Sequence, residues 1–312
     1  MVAIIPLESR VKGAIWGNCV ADALGGPVQF LTPGTFSPIT DMELVNPVLV
    51  GSYSDDGAMT LALAQAFIDS APSNYDHALA IQYFLEWWKF GRFSTADQAW
   101  DVGVSTGEAL SIWKARGLAD LEQTTQIIAD KLRKDECSGN GSLMRIAPVG
   151  VALFFRPYAA LQIAKEQSQV THPSLACVEA CRSYTGLICG AMRGASKAEM
   201  CSMFYQYVGI FDHPVLAQRF ARYKTISDWK ARTEVDIKSS GWVIDTLEWR
   251  PAVVNLGGDS DTAGAVYGAL AGVVYGVEAI PRAWMEVIGN AEVVRGIADK
   301  FSERVASNVS RG

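Results

Sequence analysis

Gly257-Gly-Asp-Ser-Asp-Thr-Ala-Gly-Ala-Val-Tyr-Gly-Ala-Leu-Ala-Gly-Val-Val-Tyr-Gly276 decides the fold class. A polar turn opens it, and an apolar segment of helical length follows, with Gly264, Gly268, Gly272 and Gly276 at every fourth position. Residues four apart share one helix face. Glycine costs about 1 kcal/mol per helix-interior position relative to alanine, so the row needs a reason. A crossing helix supplies one, because an i±4 ridge without side chains lets two axes come near. Gly13, Gly17, Ala21 and Gly25 form a second row, and Gly186, Gly190 and Gly194 a third. Three such rows predict close helix packing in a rigid, compact centre. A membrane reading fails on length, since the apolar run 262–277 has 16 residues and four of them are glycine.

Segments of helical length continue in both directions from this stretch. They fall at 10–24, 57–70, 77–90, 98–115, 119–133, 158–167, 174–193, 214–222, 237–249, 261–276 and 292–307, separated by breaks rich in Gly, Pro, Ser, Asn or Asp. Alternating strand patterns of useful length are scarce, and no strand–helix–strand rhythm appears. Without a linker or charge block, the chain reads as one all-α domain over residues 1–312. Hydrophobic residues at 49% against 19% charged exclude disorder and allow a large core. A net charge of −6 gives no global reason to bind nucleic acid. The uncharged run 23–40 holds three prolines, so it reads as loop rather than as a membrane span. The first twelve residues carry Glu8, Arg10 and Lys12 and lack the apolar core of a secretory signal. Six scattered cysteines with no CxxC pair fit a reduced compartment, expected to be the cytoplasm, with the nucleus left open.

Histidine is the scarcest chemical resource: His77, His172 and His213, none within 40 residues of another. HExxH and HxH sites are therefore absent, and any metal must be held by oxygen, which points to magnesium, calcium or manganese. Two acidic turns offer that oxygen. Ser54-Asp55-Asp56 precedes one apolar helix, and Asp259-Ser-Asp261-Thr262 precedes another. Singly, each also fits an ordinary helix start, where Ser and Asp cap and first-turn carboxylates favour the dipole. Together, four carboxylates converging without a cation would repel severely. A calcium loop of EF-hand type does not fit, because Ala263 and Leu270 occupy ligand positions. Between the turns lies Ser138-Gly139-Asn140-Gly141-Ser142, whose glycines allow backbone amides to point at a phosphate or simply form a turn. It is not a Walker loop, since no Gly-Lys-Ser/Thr follows.

The ordered set Gly13-Ala-Ile-Trp-Gly17…Asp22-Ala-Leu-Gly25, Ser54-Asp-Asp56, Ser138-Gly-Asn-Gly-Ser-Leu-Met-Arg145, Thr171-His-Pro173, Ser240-Gly-Trp-Val243 and Gly257-Gly-Asp-Ser-Asp-Thr262 resembles the ADP-ribosylglycohydrolase family across residues 11–289. The resemblance implies a compact orthogonal multi-helix bundle and a centre of two magnesium ions, or manganese, that releases ADP-ribose from modified proteins or small conjugates. Carried over by position, Ser54, Asp55, Asp56, Asp259, Asp261 and Thr262 are the implied metal ligands, with Asp261 bridging. Ser138, Gly139, Asn140, Gly141 and Ser142 would hold the diphosphate and distal ribose; Gly241 and Trp242 would flank the nucleotide. His172 would lie near the ligand, although a hydrogen-bonded histidine at a helix start reads equally well. Asp55, Asp56 and Asp101 would serve catalysis, although the pattern alone puts Asp101 on the solvated face of an amphipathic helix.

Two departures from the family stand out. Gln29 occupies a position where relatives commonly carry a metal-directed Glu, and a surface glutamine that never reaches the site is the competing expectation. The stretch 249–253 is about one helix shorter than in relatives. The expected substrate is an ADP-ribosylated protein or small conjugate, with modified arginine foremost, ADP-ribose as product, and neither nucleic acid nor membrane as partner. The rival reading is a non-catalytic or weakly active ADP-ribose-binding relative of the jellyfish lens crystallin type, since fold alone does not establish catalysis.

Overall fold

The computed structural model describes residues 5–42, 50–71, 75–208, 210–233, 238–248 and 253–310. Fifteen α-helices lie among them: α1 (Leu7–Gly25), α2 (Asp55–Asp69), α3 (His77–Phe90), α4 (Val104–Arg116), α5 (Leu121–Leu132), α6 (Ala147–Leu153), α7 (Pro157–Gln169), α8 (Leu175–Met192), α9 (Lys197–Val208), α10 (Pro214–Phe220), α11 (Ile226–Lys230), α12 (Val243–Leu247), α13 (Ser260–Tyr275), α14 (Arg282–Val287) and α15 (Ala291–Val309). The described residues contain no β-strand, only an antiparallel bridge between Gly139 and Trp242. No described helix is long and apolar enough to cross a membrane.

Helix α1 runs through the centre and is buried on most sides, from Val11 to Leu24. Its glycines explain how. A Cβ on Gly13 would collide with the Gly272 carbonyl, one on Gly17 with that of Gly268, and one on Gly25 with the Asp261 backbone. On α13 a Cβ at Gly264 would stand 2.6 Å from the Ala21 carbonyl oxygen. The helices therefore lie antiparallel with backbone against backbone, residue 13 beside 272 and residue 25 beside 261. The predicted close approach holds for these two rows. The third row meets side chains instead: Gly186 makes room for the Tyr207 ring and Gly190 for Met203, both on α9.

Side-chain donors within this packing find backbone carbonyls. Asn18 Nδ2 donates to the carbonyls of Met144 (3.1 Å) and Ala265 (3.3 Å). Arg10 Nη1 donates to Ala191 and Val273 carbonyls at the other end of α1. Such bonds matter because an unpaired buried polar group costs about 1–3 kcal/mol.

Several boundaries differ from the sequence reading. The segment expected at 98–115 becomes helical only at Val104, because Asp101 takes a left-handed backbone (φ 57°) that a helix cannot contain. Of the helix expected at 237–249, Val243–Leu247 forms, while Trp242 stays extended in its bridge with Gly139. The shortened stretch 249–253 falls mostly on residues 249–252, outside the described residues. Helices α6, α9, α11 and α14 were not anticipated. Three have seven residues or fewer, and α9 buries a narrow stripe that includes Met200 and Phe204.

Gly268→Ala should destabilise the chain by about 3 kcal/mol or more in urea unfolding, since the new methyl meets backbone that cannot yield. Gly296→Ala, inside α15 with open space at its Cβ position, should stabilise by about 0.5–1 kcal/mol. Similar midpoints for the two variants would reject backbone contact as the reason for the glycine rows.

Candidate active site

The packing of α1 on α13 brings three helix segments to one point. Ser54 caps α2: its Oγ accepts from Asp56 N (3.3 Å) and donates to Asp56 Oδ2 (3.1 Å). Asp22, in the last turns of α1, reaches the same helix start and accepts from Ser54 N (3.0 Å) and Gly57 N (2.8 Å). First-turn amides carry the positive end of a helix dipole, so this carboxylate is drawn there. The second acidic turn is set by Gly257 (φ 64°) and Gly258 (φ 62°), a left-handed pair in which a Cβ on Gly258 would strike the Ser239 carbonyl. Thr262 Oγ1 then donates to Asp56 Oδ2 at 3.2 Å and joins the two turns.

One carboxylate oxygen from each of Asp22, Asp56 and Asp261 lies within 4.8 Å of the others. All three residues are buried to about 99%, and Asp55 and Asp259 are buried beside them. Burial, then neighbouring carboxylates, push Asp55, Asp56 and Asp261 well above the ordinary carboxylate range. Burial raises Asp22 to about 7 against the opposing pull of the Ser54 and Gly57 amides. Asp259 is raised for the same first reason. Asp56 Oδ1 and Asp261 Oδ2 are buried with no hydrogen-bond partner. Buried acceptors of this kind are costly unless something positive meets them, and an all-oxygen donor set suits a hard cation. The residues present fit such an ion.

A glycine-rich loop adjoins this cluster. Asn140 N donates to the Gly241 carbonyl (3.1 Å) and Val243 N to that of Ser138 (3.0 Å), pinning 138–140 to 241–243. Asn140 Nδ2 donates to Thr246 Oγ1 (2.8 Å) and to Asp259 Oδ2, tying the loop to the second acidic turn. The serine hydroxyls face inward: Ser138 bonds Ser174 Oγ (2.8 Å) and Ser142 bonds Ser168 Oγ (2.9 Å). Among the described residues, the N–H groups of Gly139, Gly141 and Ser142 have no acceptor. Trp242, half-buried, has the Arg219 guanidinium 5.1 Å from its ring centroid. Behind the loop the His172 ring packs against Gly141, with the unpartnered, buried Thr106 hydroxyl also beside that glycine.

A profile described as ADP-ribosylglycohydrolase matches residues 4–310. The chain belongs to the ADP-ribosylglycohydrolase family. Within that family it is 27% identical to the ADP-ribosylarginine hydrolase Tri1 of Pseudomonas putida (strain GB-1), over 95% of this chain and 78% of that protein. It is 26% identical to the ADP-ribosyl-[dinitrogen reductase] glycohydrolase of Rhodospirillum rubrum, over 89% and 90% of the two chains. A solved chain of an "ADP-ribosylglycohydrolase-related protein complex" superposes with a TM-score of 0.77 at 27% identity, covering 96% of this chain and 99% of that one.

The ADP-ribosylglycohydrolase fold brings Ser54, Asp55, Asp56, Asp259, Asp261 and Thr262 into one region with Asn140, and sets Gly139, Gly141, Gly241, Trp242 and His172 along its edge. Asp101 is not on a helix face: it stands in the loop before α4 and accepts from Gln29 Nε2 at 2.8 Å. Its charge acts on Asp22, Asp55, Asp259 and Asp261. Gln29 is thus joined to the cluster through Asp101 and is not a free surface residue. Trp242 has an extended backbone at the N-cap of α12, and its half-buried indole packs at the border of the core. Asp22 was missed as a site residue. Its signal was a lone carboxylate within an apolar glycine-spaced helix, which needs an external partner if buried.

Burial first, then the Arg145 charge, push His172 down to about 3, so the folded chain keeps its imidazole neutral. Unfolded histidine takes a proton below about pH 6.5, and acid therefore favours the unfolded state. This contribution to stability is complete above about pH 6.5 and is lost as pH falls from there toward 3, at up to about 1.4 kcal/mol per unit. His172→Gln should flatten the pH dependence of urea stability relative to wild type between about pH 6 and 4. The subtraction cancels the opposite trend of the raised carboxylates, and parallel curves would reject a buried neutral His172.

Proposed function

We propose that this chain is a divalent-metal-dependent hydrolase that removes ADP-ribose from a modified acceptor, chiefly ADP-ribosyl-arginine, by cleaving the glycosidic bond at the distal ribose. The observation that carries the reading is the pair of buried, unpartnered oxygens, Asp56 Oδ1 and Asp261 Oδ2, in a cluster whose carboxylates are all raised. An inert scaffold has no use for so costly an arrangement. Family membership and the two relatives named for arginine and dinitrogen reductase conjugates support the substrate class.

Ser54, Asp55, Asp56, Asp259, Asp261 and Thr262 would hold two Mg2+ ions, or Mn2+, with Asp22 shaping the turn through its bonds to Ser54 and Gly57. Bound ions would supply Lewis-acid stabilisation and orient the ribose hydroxyls and a water. The loop amides of Gly139, Gly141 and Ser142 take phosphate oxygens, and Gly241 and Trp242 border the nucleotide. Water attacks the anomeric carbon as the bond to the acceptor nitrogen breaks. A carboxylate, Asp101 or one of Asp55 and Asp56, receives the proton of that water and returns it to the leaving nitrogen. Surrounding negative charge stabilises the oxocarbenium character of the transition state.

Release of free ADP-ribose from ADP-ribosyl-arginine should require Mg2+ or Mn2+ and stop after exhaustive chelation; full turnover without metal would sink the reading. Elemental analysis should find that Asp261→Ala loses more metal than Ser54→Ala, since a charged carboxylate binds a hard cation better than a hydroxyl does. Modified serine and acetyl-ester conjugates, assayed in parallel, should turn over more slowly than modified arginine.

Gln29 supplies a further test. Glutamate at this position would place a second carboxylate beside Asp101, where the amide now donates. Gln29→Glu should tighten Mg2+ binding by calorimetry or raise the turnover number, without changing the thermal midpoint much, since residue 29 is half-exposed. Unchanged affinity and kinetics would reject a role for the position.

A further inference from the structure

We infer that Thr171 sets the tautomer of His172: held by the buried Arg145 guanidinium, its hydroxyl gives its proton to Nδ1 and leaves Nε2–H as a donor to an anionic ligand oxygen at the 139–141 loop. The inference rests on the hydrolase reading for the identity of the ligand, an ADP-ribose phosphate oxygen. The tautomer itself follows from bond directions alone.

Arg145 is fully buried and donates from Nη2 to Thr171 Oγ1 at 2.6 Å. A guanidinium has no acceptor, so Thr171 Oγ1 must accept there. Thr171 Oγ1 also lies 2.8 Å from His172 Nδ1. If Nδ1 carried the proton, the hydroxyl would accept twice and its own hydrogen would need a third partner. No such partner is present among the described residues. With the hydroxyl donating to Nδ1, Thr171 Oγ1 accepts from Arg145 and gives its own hydrogen to the imidazole, so both Oγ1 and Nδ1 are satisfied.

Each end of this relay is fixed. The guanidinium stacks 4.5 Å from the Phe84 centroid, and the Gln167 amide, turned with its oxygen toward Nε, accepts at 2.8 Å. His172 N donates to the Ser168 carbonyl (2.7 Å), and Ser168 Oγ donates back to the His172 carbonyl (2.9 Å). The backbone that carries the ring is therefore fixed. The ring Nε2 lies 3.1 Å from the place a Cβ would take on Gly141 and 3.6 Å from that on Gly139, so both glycines keep it close to the loop backbone. No described residue accepts from Nε2. A phosphate oxygen held by the loop amides would meet a neutral N–H in this tautomer and a repelling lone pair in the other.

The test uses the full chain labelled with 15N and long-range 1H–15N correlation of the imidazoles. Only three histidines contribute, and His172→Gln assigns the one that matters. At neutral pH the wild type should show protonated Nε2 and unprotonated Nδ1 for His172; the reverse or an averaged pattern overturns the proposal. Thr171→Val should move the ring toward the other tautomer and weaken ADP-ribose binding about tenfold in calorimetry, the loss of one hydrogen bond to a charged group. Thr171→Ser should restore both. An unchanged tautomer in Thr171→Val overturns the role of Thr171. Should the valine variant not fold, the wild-type and serine spectra still decide, since both must show Nε2–H. Absence of ADP-ribose binding in the wild type, with the expected tautomer, would instead remove the hydrolase reading and leave the relay standing.

Discussion

The contact of α1 with α13, backbone against backbone, is the constraint from which the site follows. Two helices carrying ordinary side chains pack with axes about 8–10 Å apart; glycine rows remove the spacers. Here the approach is close enough that Gly25 touches the Asp261 backbone, at the point where α1 ends and α13 begins. The last turns of one helix thereby meet the first turn of the other. Asp22 and Asp261 become neighbours, and the N-terminus of α2 closes the group through Ser54 and Gly57. A methyl group in this seam would act on chemistry several residues away.

What that seam assembles is electrostatically unfavourable by itself. Five carboxylates are raised by burial and by neighbouring carboxylates, Asp101 among them, and two of their oxygens have no partner. The cost is carried by the remainder of the molecule: an apolar core around α1, and dipoles such as the α2 amides that favour negative charge. Strain of this kind concentrates where proteins bind or react, and buried carboxylate oxygens without partners are the donor type that suits a hard cation.

The neighbouring loop follows the opposite logic. Its side chains are spent on structure, with Ser138 and Ser142 turned inward and Asn140 tied to Asp259. Its backbone amides at Gly139, Gly141 and Ser142 and the neutral imidazole beside them are left without acceptors among the described residues. Donors that carry no net charge add no repulsion for cations next door and still recognise anionic oxygen. Arg145, a full positive charge behind the loop, is kept in the core by Thr171, Gln167 and Phe84.

The helical period, the glycine rows and the two acidic turns were legible in the sequence because each is a local pattern with a fixed spacing. So was the exclusion of histidine-based metal sites, which needs only a count. Other features depended on partners far away in the chain. The sequence did not reveal that Gly13 and Gly17 meet Gly272 and Gly268 while Gly186 and Gly190 accommodate Tyr207 and Met203, since a bare helix face can accept either backbone or side chain. Asp101 and Trp242 sit in runs of helical composition, yet a left-handed residue and a bridge to Gly139 hold them outside helices. Asp22 read as part of a motif and nothing more until packing set it on the start of α2. The sequence by itself determined which groups are available and how each is spaced along its own helix. Tertiary structure alone decided which of them share a site, because a carboxylate, an imidazole or a glycine takes its energy from what is packed against it.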